Sequence, residues 1–212
     1  MTEAATPRKR GPQAQAARND RALLEAARQV FLTQGFDAPV SAIAERAGVG
    51  MGSLYRRYRT KEELFQRLCA DSLEHLATAA QEGLRIDDAW QGFVHYVRQC
   101  VAFGFGALAP LAGAIEVTPQ MRRAGQEAQH RIDQLIARAQ AAGALRPDVT
   151  ALDISLLIGQ FSRQAPTPPL PDQAEVQSRH LAIVLDGLKA HNTDPLPGKP
   201  PDLQRYQALW NT

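Results

Sequence analysis

With 212 residues, 44% of them apolar, the chain is long enough for one large or two small domains around a sizeable core. Its two cysteines, Cys69 and Cys100, exclude a disulfide framework and lack metal-ligand spacing, and the N-terminus has no apolar stretch of the kind a secretory leader needs, so a reducing cytoplasm is the simplest location. The formal net charge of +2 conceals an asymmetry: through Ala70 twelve Lys and Arg stand against seven Asp and Glu, whereas afterwards twelve stand against fifteen, so the first third is the part suited to a polyanion.

Residues 1–17 are rich in Pro, Gly, Ala and Gln and read as a disordered basic arm. Arg8-Lys-Arg10 within it can track phosphates or enter a minor groove, or can remain a solvated tail. A domain over 18–66 follows. Leu23, Ala27, Val30, Phe31 and Gln34 trace a helical stripe that stops at Gly35. Val40, Ile43, Ala44 and Ala47 fall at i, i+3, i+4 and i+7, which predicts a short helix with one buried stripe. Gly48 ends it, because glycine enters the left-handed conformation without a Cβ clash, and Val49 plugs the corner. A second short helix, Met51 to Tyr58, keeps Leu54 for the core and offers Ser53, Tyr55, Arg56 and Arg57 as phosphate and base-edge ligands. Thr60-Lys-Glu-Glu63 is a capping box, with Thr60 accepting from the Glu63 amide and Glu63 from the Thr60 amide; the helix it starts runs through Leu64, Phe65, Leu68 and Leu76.

These blocks resemble the DNA-binding domain of TetR-family repressors over about residues 20 to 68. The resemblance rests on Leu24-Glu-Ala-Ala-Arg-Gln-Val-Phe-Leu-Thr-Gln-Gly-Phe36, Ile43-Ala-Glu-Arg-Ala-Gly-Val49, Gly52-Ser-Leu-Tyr-Arg-Arg-Tyr58 and Lys61-Glu-Glu-Leu-Phe65, in order and at the family's spacing. It implies an all-α homodimer in which an N-terminal three-helix helix-turn-helix domain is joined to a C-terminal antiparallel helical ligand-binding and dimerisation bundle. It also implies release from a double-stranded DNA operator when a small-molecule effector binds. Position by position it makes Tyr55 and Lys61 phosphate clamps and Arg56 a phosphate or base contact. The chain departs from the family's commonest pattern at Gly50, where Ser or Thr is usual, at Met51, where Lys or Arg is frequent, and at Arg59, where proline is common. Gly50 and Gly52 let the backbone approach phosphate, and Met51 offers only apolar contact, such as a thymine methyl. The expected DNA contacts are therefore Ser41, Gly50, Met51, Gly52, Ser53, Tyr55, Arg56, Arg57, Tyr58 and Lys61.

Residues 67–194 read as a helical effector-binding and dimerisation domain. Trp90, Phe93, Val94, Val97 and Val101 make a stripe from Asp87 onward, Ile132, Leu135, Ile136 and Ala139 make another, and Leu152, Leu156 and Gly159 begin a third, with Gly143 and Pro147 as punctuation. The longest uncharged run, Gln99 to Ile115, is shorter than a membrane span and broken by Pro110, and reads as buried. Ala165-Pro-Thr-Pro-Pro-Leu-Pro171 should be an extended connector, and Val176, Ile183, Val184 and Leu188 mark a last helix. By the resemblance, the helices flanking that connector form a four-helix dimer interface through Leu152, Ser155, Leu156, Gly159, Val176, Ile183 and Val184; the same stripes can instead serve only the monomer core. Bundles hold ligands between helices, so Trp90, Phe93, Tyr96, Val97, Cys100, Phe103, Met121 and Phe161 are the candidate effector wall, with ordinary core as the alternative. Gly104 and Gly106 read as a weak point at which the Trp90 helix bends. The tail, 195–212, carries Tyr206 and Trp210 with no assigned seat.

No nucleophile, base and orienting group occur at a recognisable spacing, no glycine-rich phosphate loop precedes a helix, and His95, His130 and His180 are scattered. No enzymatic activity, cofactor, metal or membrane partner is expected, and an enzyme in the C-terminal helical domain is the remote alternative. A regulator or adaptor that senses no small molecule is the second reading, since an apolar bundle does not by itself make a cavity.

Overall fold

The computed structural model describes residues 12–106, 115–162, 172–192, 194–202 and 204, with side chains described from Asn19 onward. Eight helices occur among them: α1 Pro12–Gln34, α2 Val40–Ala47, α3 Met51–Arg57, α4 Lys61–Arg85, α5 Ala89–Phe103, α6 Pro119–Ala141, α7 Ala151–Ser162 and α8 Gln173–Gly187. The only pairing of strand type among the described residues is an isolated antiparallel bridge between Leu145 and Lys189. The chain divides into two compact units after Leu68, within α4.

In the first unit, α1 begins at Pro12, inside the stretch expected to be a disordered arm. Proline is pre-set for the first turn and the Gln-Ala run behind it has high helix propensity, so the helix extends past its buried stripe. Arg8 to Arg10 lie outside the described residues. Leu23, Ala27, Val30 and Phe31 are buried, as are Ile43, Ala44 and Leu54, whereas Gln34 closes the α1 stripe on the surface. Phe31 meets Phe65 edge-on at 5.0 Å and Phe36 meets Phe65 at 5.3 Å, which ties α1 and the following loop to α4. Each such buried Leu or Phe contributes about 1.5–3 kcal/mol relative to exposure. Gly48 caps α2 at φ +66, and the Val49 amide reaches back to the Ala44 carbonyl at 3.0 Å, so the chain reverses as expected. The α3 helix stops at Arg57, one residue earlier than expected, and Tyr58 is extended. Thr60 accepts from the Glu63 amide at 3.0 Å, but the Glu63 carboxylate takes the Arg59 amide at 2.7 Å rather than that of Thr60. The capping box is thus displaced by one residue on its return arm.

In the second unit, α5, α6, α7 and α8 share a core with α4 that includes Phe93, Tyr96, Cys100, Leu135, Ile154 and Ile158. Asp88 caps α5, accepting from the Gln91 amide at 2.7 Å, and Thr118 and Pro119 start α6. A reciprocal box starts α7: Thr150 accepts from the Asp153 amide at 3.2 Å, and Asp153 accepts from the Thr150 amide at 2.8 Å. The α4 and α5 backbones meet at Gly83 and Gly92, where a Cβ on Gly83 would lie 2.5 Å from the Gly92 carbonyl oxygen. Arg138 of α6 satisfies the carbonyls of Leu84, Ile86 and Asp87 around and after the end of α4, at 2.6–2.8 Å. Arg146 is buried and bidentate on Asp148, and also donates to the carbonyl of Asp194 at 2.7 Å, pinning the α6–α7 turn to the segment after α8.

Two expectations for this unit need correction. Gly104 is not a bend within α5 but its left-handed cap at φ +76, so the helix ends at Phe103. Gly106 also has positive φ, +84, and a Cβ there would come within 2.9 Å of Gly159 Cα; Gly159 therefore abuts its own chain. The Gln99 to Ile115 run is only part-buried where described, Val101, Phe103 and Phe105 being intermediate. The connector Ala165 to Pro171 and the tail residues Tyr206 and Trp210 lie outside the described residues.

Candidate nucleic-acid interface

The seven residues of α3 bury one side chain, Leu54, and turn the remainder outward. Met51 is 37% exposed and Tyr55 47%. Ser53 and Arg56 are exposed beside them, and Ser41 is exposed in the first turn of α2. Gly50 is the extended N-cap, its carbonyl accepting from the Ser53 amide at 2.9 Å and the Leu54 amide at 3.2 Å. A Cβ at Gly50 or Gly52 would meet nothing within 4 Å among the described residues, so packing against these does not require either glycine. Their smoothness instead leaves the first turn of α3 open to close approach by another molecule. Lys61 opens α4 with its Nζ 4.9 Å from the centre of the Phe36 ring, a contact that aims the ammonium while leaving it part-exposed.

Two expected contacts behave differently. Tyr58 is buried at 6% exposure and its hydroxyl donates to Asp20 Oδ1 at 2.8 Å, so it belongs to the core and leaves the set of DNA ligands. The cause is the end of α3 at Arg57: the extended backbone of Tyr58 swings its ring inward, beneath the helix. Burial, reinforced by the Asp20 carboxylate, pushes its phenol up to about 12. Arg57 is 39% exposed, and its Nε lies 2.5 Å from the same Asp20 oxygen. Asp20 was not among the expected site residues. It stands in α1, 37 and 38 residues from its partners, and no local spacing could have pointed to it.

A groove of about 330 Å³ opens beside α3, lined by Asn19, Leu23, Val49, Ser53, Leu54, Arg56 and Arg57. Val49 thus sits at the corner as expected, forming part of the groove floor rather than a sealed plug. Polar groups from α1 and α3 converge on its rim. The chemistry offered is that of a phosphate and base-edge binder: guanidinium, hydroxyl and phenol groups on one short helix, with an apolar methionine at its start.

Most of the residues expected to line an effector pocket are packed among the described residues of the second unit. Phe93, Tyr96, Val97, Cys100 and Met121 are buried core, Trp90 stacks at a tilt on Phe93 at 5.6 Å, and Phe103 stacks on His75 at 3.8 Å. Burial lifts the Cys100 thiol to about 12, which makes it a poor thiolate. The Tyr96 hydroxyl lies beside that thiol but makes no hydrogen bond of ordinary geometry to any described residue, and burial raises its pKa well above 10. A cavity of about 10 Å³ does exist between α5, α7 and α8, and Val97 and Phe161 are the only expected residues that reach it. Leu157, Ile158, Val184 and Leu188 complete much of its wall. Periodicity identified buried faces correctly but not which buried residues border a void.

The expected dimer set also separates into two groups. Leu152 is buried in its own chain and Val184 packs on the same core, so these two serve the monomer. Ser155 donates its hydroxyl to the Ala151 carbonyl at 2.9 Å, and Gly159 faces Gly106. Leu156 remains 37% exposed and Ile183 60% exposed, with Val176 part-exposed on the same helix as Ile183. Among the described residues no cluster of three His, Cys, Asp or Glu is placed to hold a metal, and no helix is long and apolar enough to cross a membrane.

A short helix that shows polar and basic groups from a glycine-turned helix pair, in a chain whose second unit is a bundle of longer helices, defines a helix-turn-helix DNA-binding protein of the all-α class. The chain belongs to the TetR family of bacterial transcriptional regulators. The family model described as "Bacterial regulatory proteins, tetR family" matches residues 23–68, and that described as "Transcriptional regulator SbtR-like, C-terminal domain" matches residues 87–190. A TetR transcriptional regulator from Streptomyces coelicolor is similar at 28% identity and a TM-score of 0.56, over 80% of this chain and 98% of that one. A TetR transcription regulatory protein from Mycobacterium vanbaalenii is similar at 27% identity and a TM-score of 0.59, over 84% and 99%. A ketosteroid transcriptional regulator of Mycobacterium tuberculosis, at 22% identity and a TM-score of 0.57 over 80% and 96%, shares the fold. Comparison with curated protein sequences finds no match. The family and these neighbours are transcriptional regulators and not enzymes.

Proposed function

We propose that this DNA-binding regulator is a cytoplasmic repressor that binds a near-palindromic operator as a homodimer and is released by a small-molecule effector. The observation that carries the DNA contacts is the surface of α3, where only Leu54 is withdrawn and Met51, Ser53, Tyr55 and Arg56 stand clear. In this reading α3 enters the major groove. Met51 and Ser53 meet base edges, Arg56 meets a base or phosphate, and Tyr55, Lys61 and Ser41 hold the backbone. Gly50 and Gly52 permit close approach of the phosphate chain. Leu156 and Ile183, exposed apolar side chains on α7 and α8, support pairing of those helices with their copies in a second subunit. A dimer places two α3 helices on successive turns of the duplex, about 34 Å apart. An effector acts by favouring a dimer state with a different spacing.

Replacing Tyr55 and Lys61 together by alanine should weaken binding to every duplex and flatten the dependence of log K on log salt by about 0.9 for each phosphate no longer neutralised. Fluorescence anisotropy on DNA from upstream of its own gene, against a scrambled duplex, reads both quantities; unchanged affinity in the double variant refutes the clamp. A second reading is regulation without a small molecule, since the cavity between α5, α7 and α8 among the described residues is only about 10 Å³, room for one water at most. A thermal-shift screen separates the two. One compound that raises the melting temperature and also releases DNA supports effector control, and a screen without such a compound supports the alternative.

A further inference from the structure

The pairing of Arg57 with Asp20 has no role in the fold-level account of a DNA-reading helix, and it runs against the expectation that Arg57 serves a phosphate. Both Arg57 Nε, at 2.5 Å, and Tyr58 Oη, at 2.8 Å, converge on one oxygen of Asp20. An exposed ion pair between two mobile side chains is worth about 0–1 kcal/mol and would yield readily to a phosphate. This pair is built differently. The carboxylate is only 23% exposed, and its second partner, the Tyr58 hydroxyl, is carried on a ring buried in the domain core, so the acceptor is already in place before the guanidinium arrives. The neighbouring Arg56 has no carboxylate within ion-pair distance among the described residues, although it lines the same groove. Two adjacent arginines at the end of one helix thus have opposite electrostatic situations.

We propose that Asp20 holds the Arg57 guanidinium on its own carboxylate and so withholds one positive charge per subunit from the DNA backbone, which sets the strength and salt dependence of binding to every sequence. The consequence follows from counterion release. Each phosphate neutralised adds about 0.9 to the steepness of log K against log salt, for any sequence, and therefore strengthens non-specific binding as much as specific binding. The ratio between the two is set instead by Met51, Ser53 and Arg56, which face base edges in the proposed reading, on which this inference rests. Asp20 acts through Arg57 and is a positioning residue; it need not touch DNA itself.

The test uses the full chain and a mixed-sequence duplex as probe, with salt titrations of Asp20→Asn, Arg57→Ala, the double variant and Arg56→Ala. Asparagine keeps an oxygen that can accept from Tyr58, so the tie to the core is retained while the charge is removed. The expected results are a steeper slope for Asp20→Asn by about 0.9 per subunit, a wild-type slope for Arg57→Ala alone, and return of the double variant to the wild-type slope. Operator affinity, with the operator obtained by selection from random duplexes, should rise in Asp20→Asn by the same factor as mixed-sequence affinity, leaving their ratio unchanged, and both should return to wild type in the double variant. A slope that drops by about 0.9 for Arg57→Ala in the otherwise native chain overturns the proposal, because Arg57 is then already on a phosphate. That arm does not depend on how well Asp20→Asn folds. No change in Asp20→Asn together with a normal loss for Arg56→Ala also overturns it, while leaving the DNA-facing role of α3 intact. A flat response of all four variants removes that role and this proposal with it.

Discussion

The crossing of α4 and α5 at Gly83 and Gly92 makes a prediction whose sign differs from the general rule for helical glycines. Within a helix, alanine is better than glycine by about 1 kcal/mol, so a Gly→Ala change at an open helical site stabilises. Gly125 in α6 is such a site: a Cβ there would find only Leu73 Cδ1, at 3.9 Å, which is ordinary contact. At Gly83 a Cβ would stand 2.5 Å from the Gly92 carbonyl oxygen and 3.2 Å from Leu135 Cδ1, and at Gly92 it would press still closer on the Gly83 carbonyl. The obstacle is backbone, which cannot rotate away, so the two helices must part. Overpacking of this kind costs about 1–3 kcal/mol. Set against the propensity gain, Gly92→Ala should lose about 0–2 kcal/mol while Gly125→Ala gains about 0.5–1 kcal/mol. Once the helices have parted, the second Cβ meets less resistance, so Gly83→Ala with Gly92→Ala should cost less than the two single changes added. Urea unfolding followed by circular dichroism, at one fixed protein concentration because a dimer couples stability to concentration, measures all four variants. A Gly92→Ala protein as stable as Gly125→Ala would refute the close crossing.

Ile183→Asp combined with Leu156→Asp should convert the protein to a monomer in sedimentation velocity with helical content retained, whereas Leu152→Asp, which buries the new charge, should unfold it. Tyr58→Phe removes a hydrogen bond to Asp20 and should lower stability by about 0.5–1.5 kcal/mol. With its phenol raised to about 12 from 10.0, Tyr58 lends stability that is complete below pH 10 and is lost as pH rises through about 12; alkaline unfolding of the phenylalanine variant should lack that component. On the acid side, the hydrogen bonds from Arg146 hold the Asp148 carboxyl below its ordinary 3.8, so its stabilisation is present above that value and disappears as pH falls through the depressed one. Arg146→Met should lower the melting temperature at neutral pH, and the difference from wild type should narrow on acidification; a constant difference would deny Asp148 a part.

The helices that carry local patterns were legible from the chain alone. The α2 stripe, the turn at Gly48, the single core residue Leu54 of α3 and the Thr60 start of α4 each depend on residues within a few positions of one another, and helical periodicity and capping act over that range. The same locality explains the misreadings: Pro12 starts α1 early, Gly104 is a cap and not a bend, and Tyr58 falls just past the end of α3, where a shift of one residue moves a side chain from surface to core. What only the tertiary structure decided is who meets whom across long separations. Asp20 finds Arg57 and Tyr58, Gly83 finds Gly92, Gly106 finds Gly159, and Arg138 finds the end of α4. The division of α7 and α8 into buried Leu152 and exposed Leu156 and Ile183 belongs to the same class. Sequence determined which faces are apolar, because side-chain chemistry and helical period are local properties. Which apolar face is covered, and which charge is already paired, depends on the packing of whole helices, a property of no single segment.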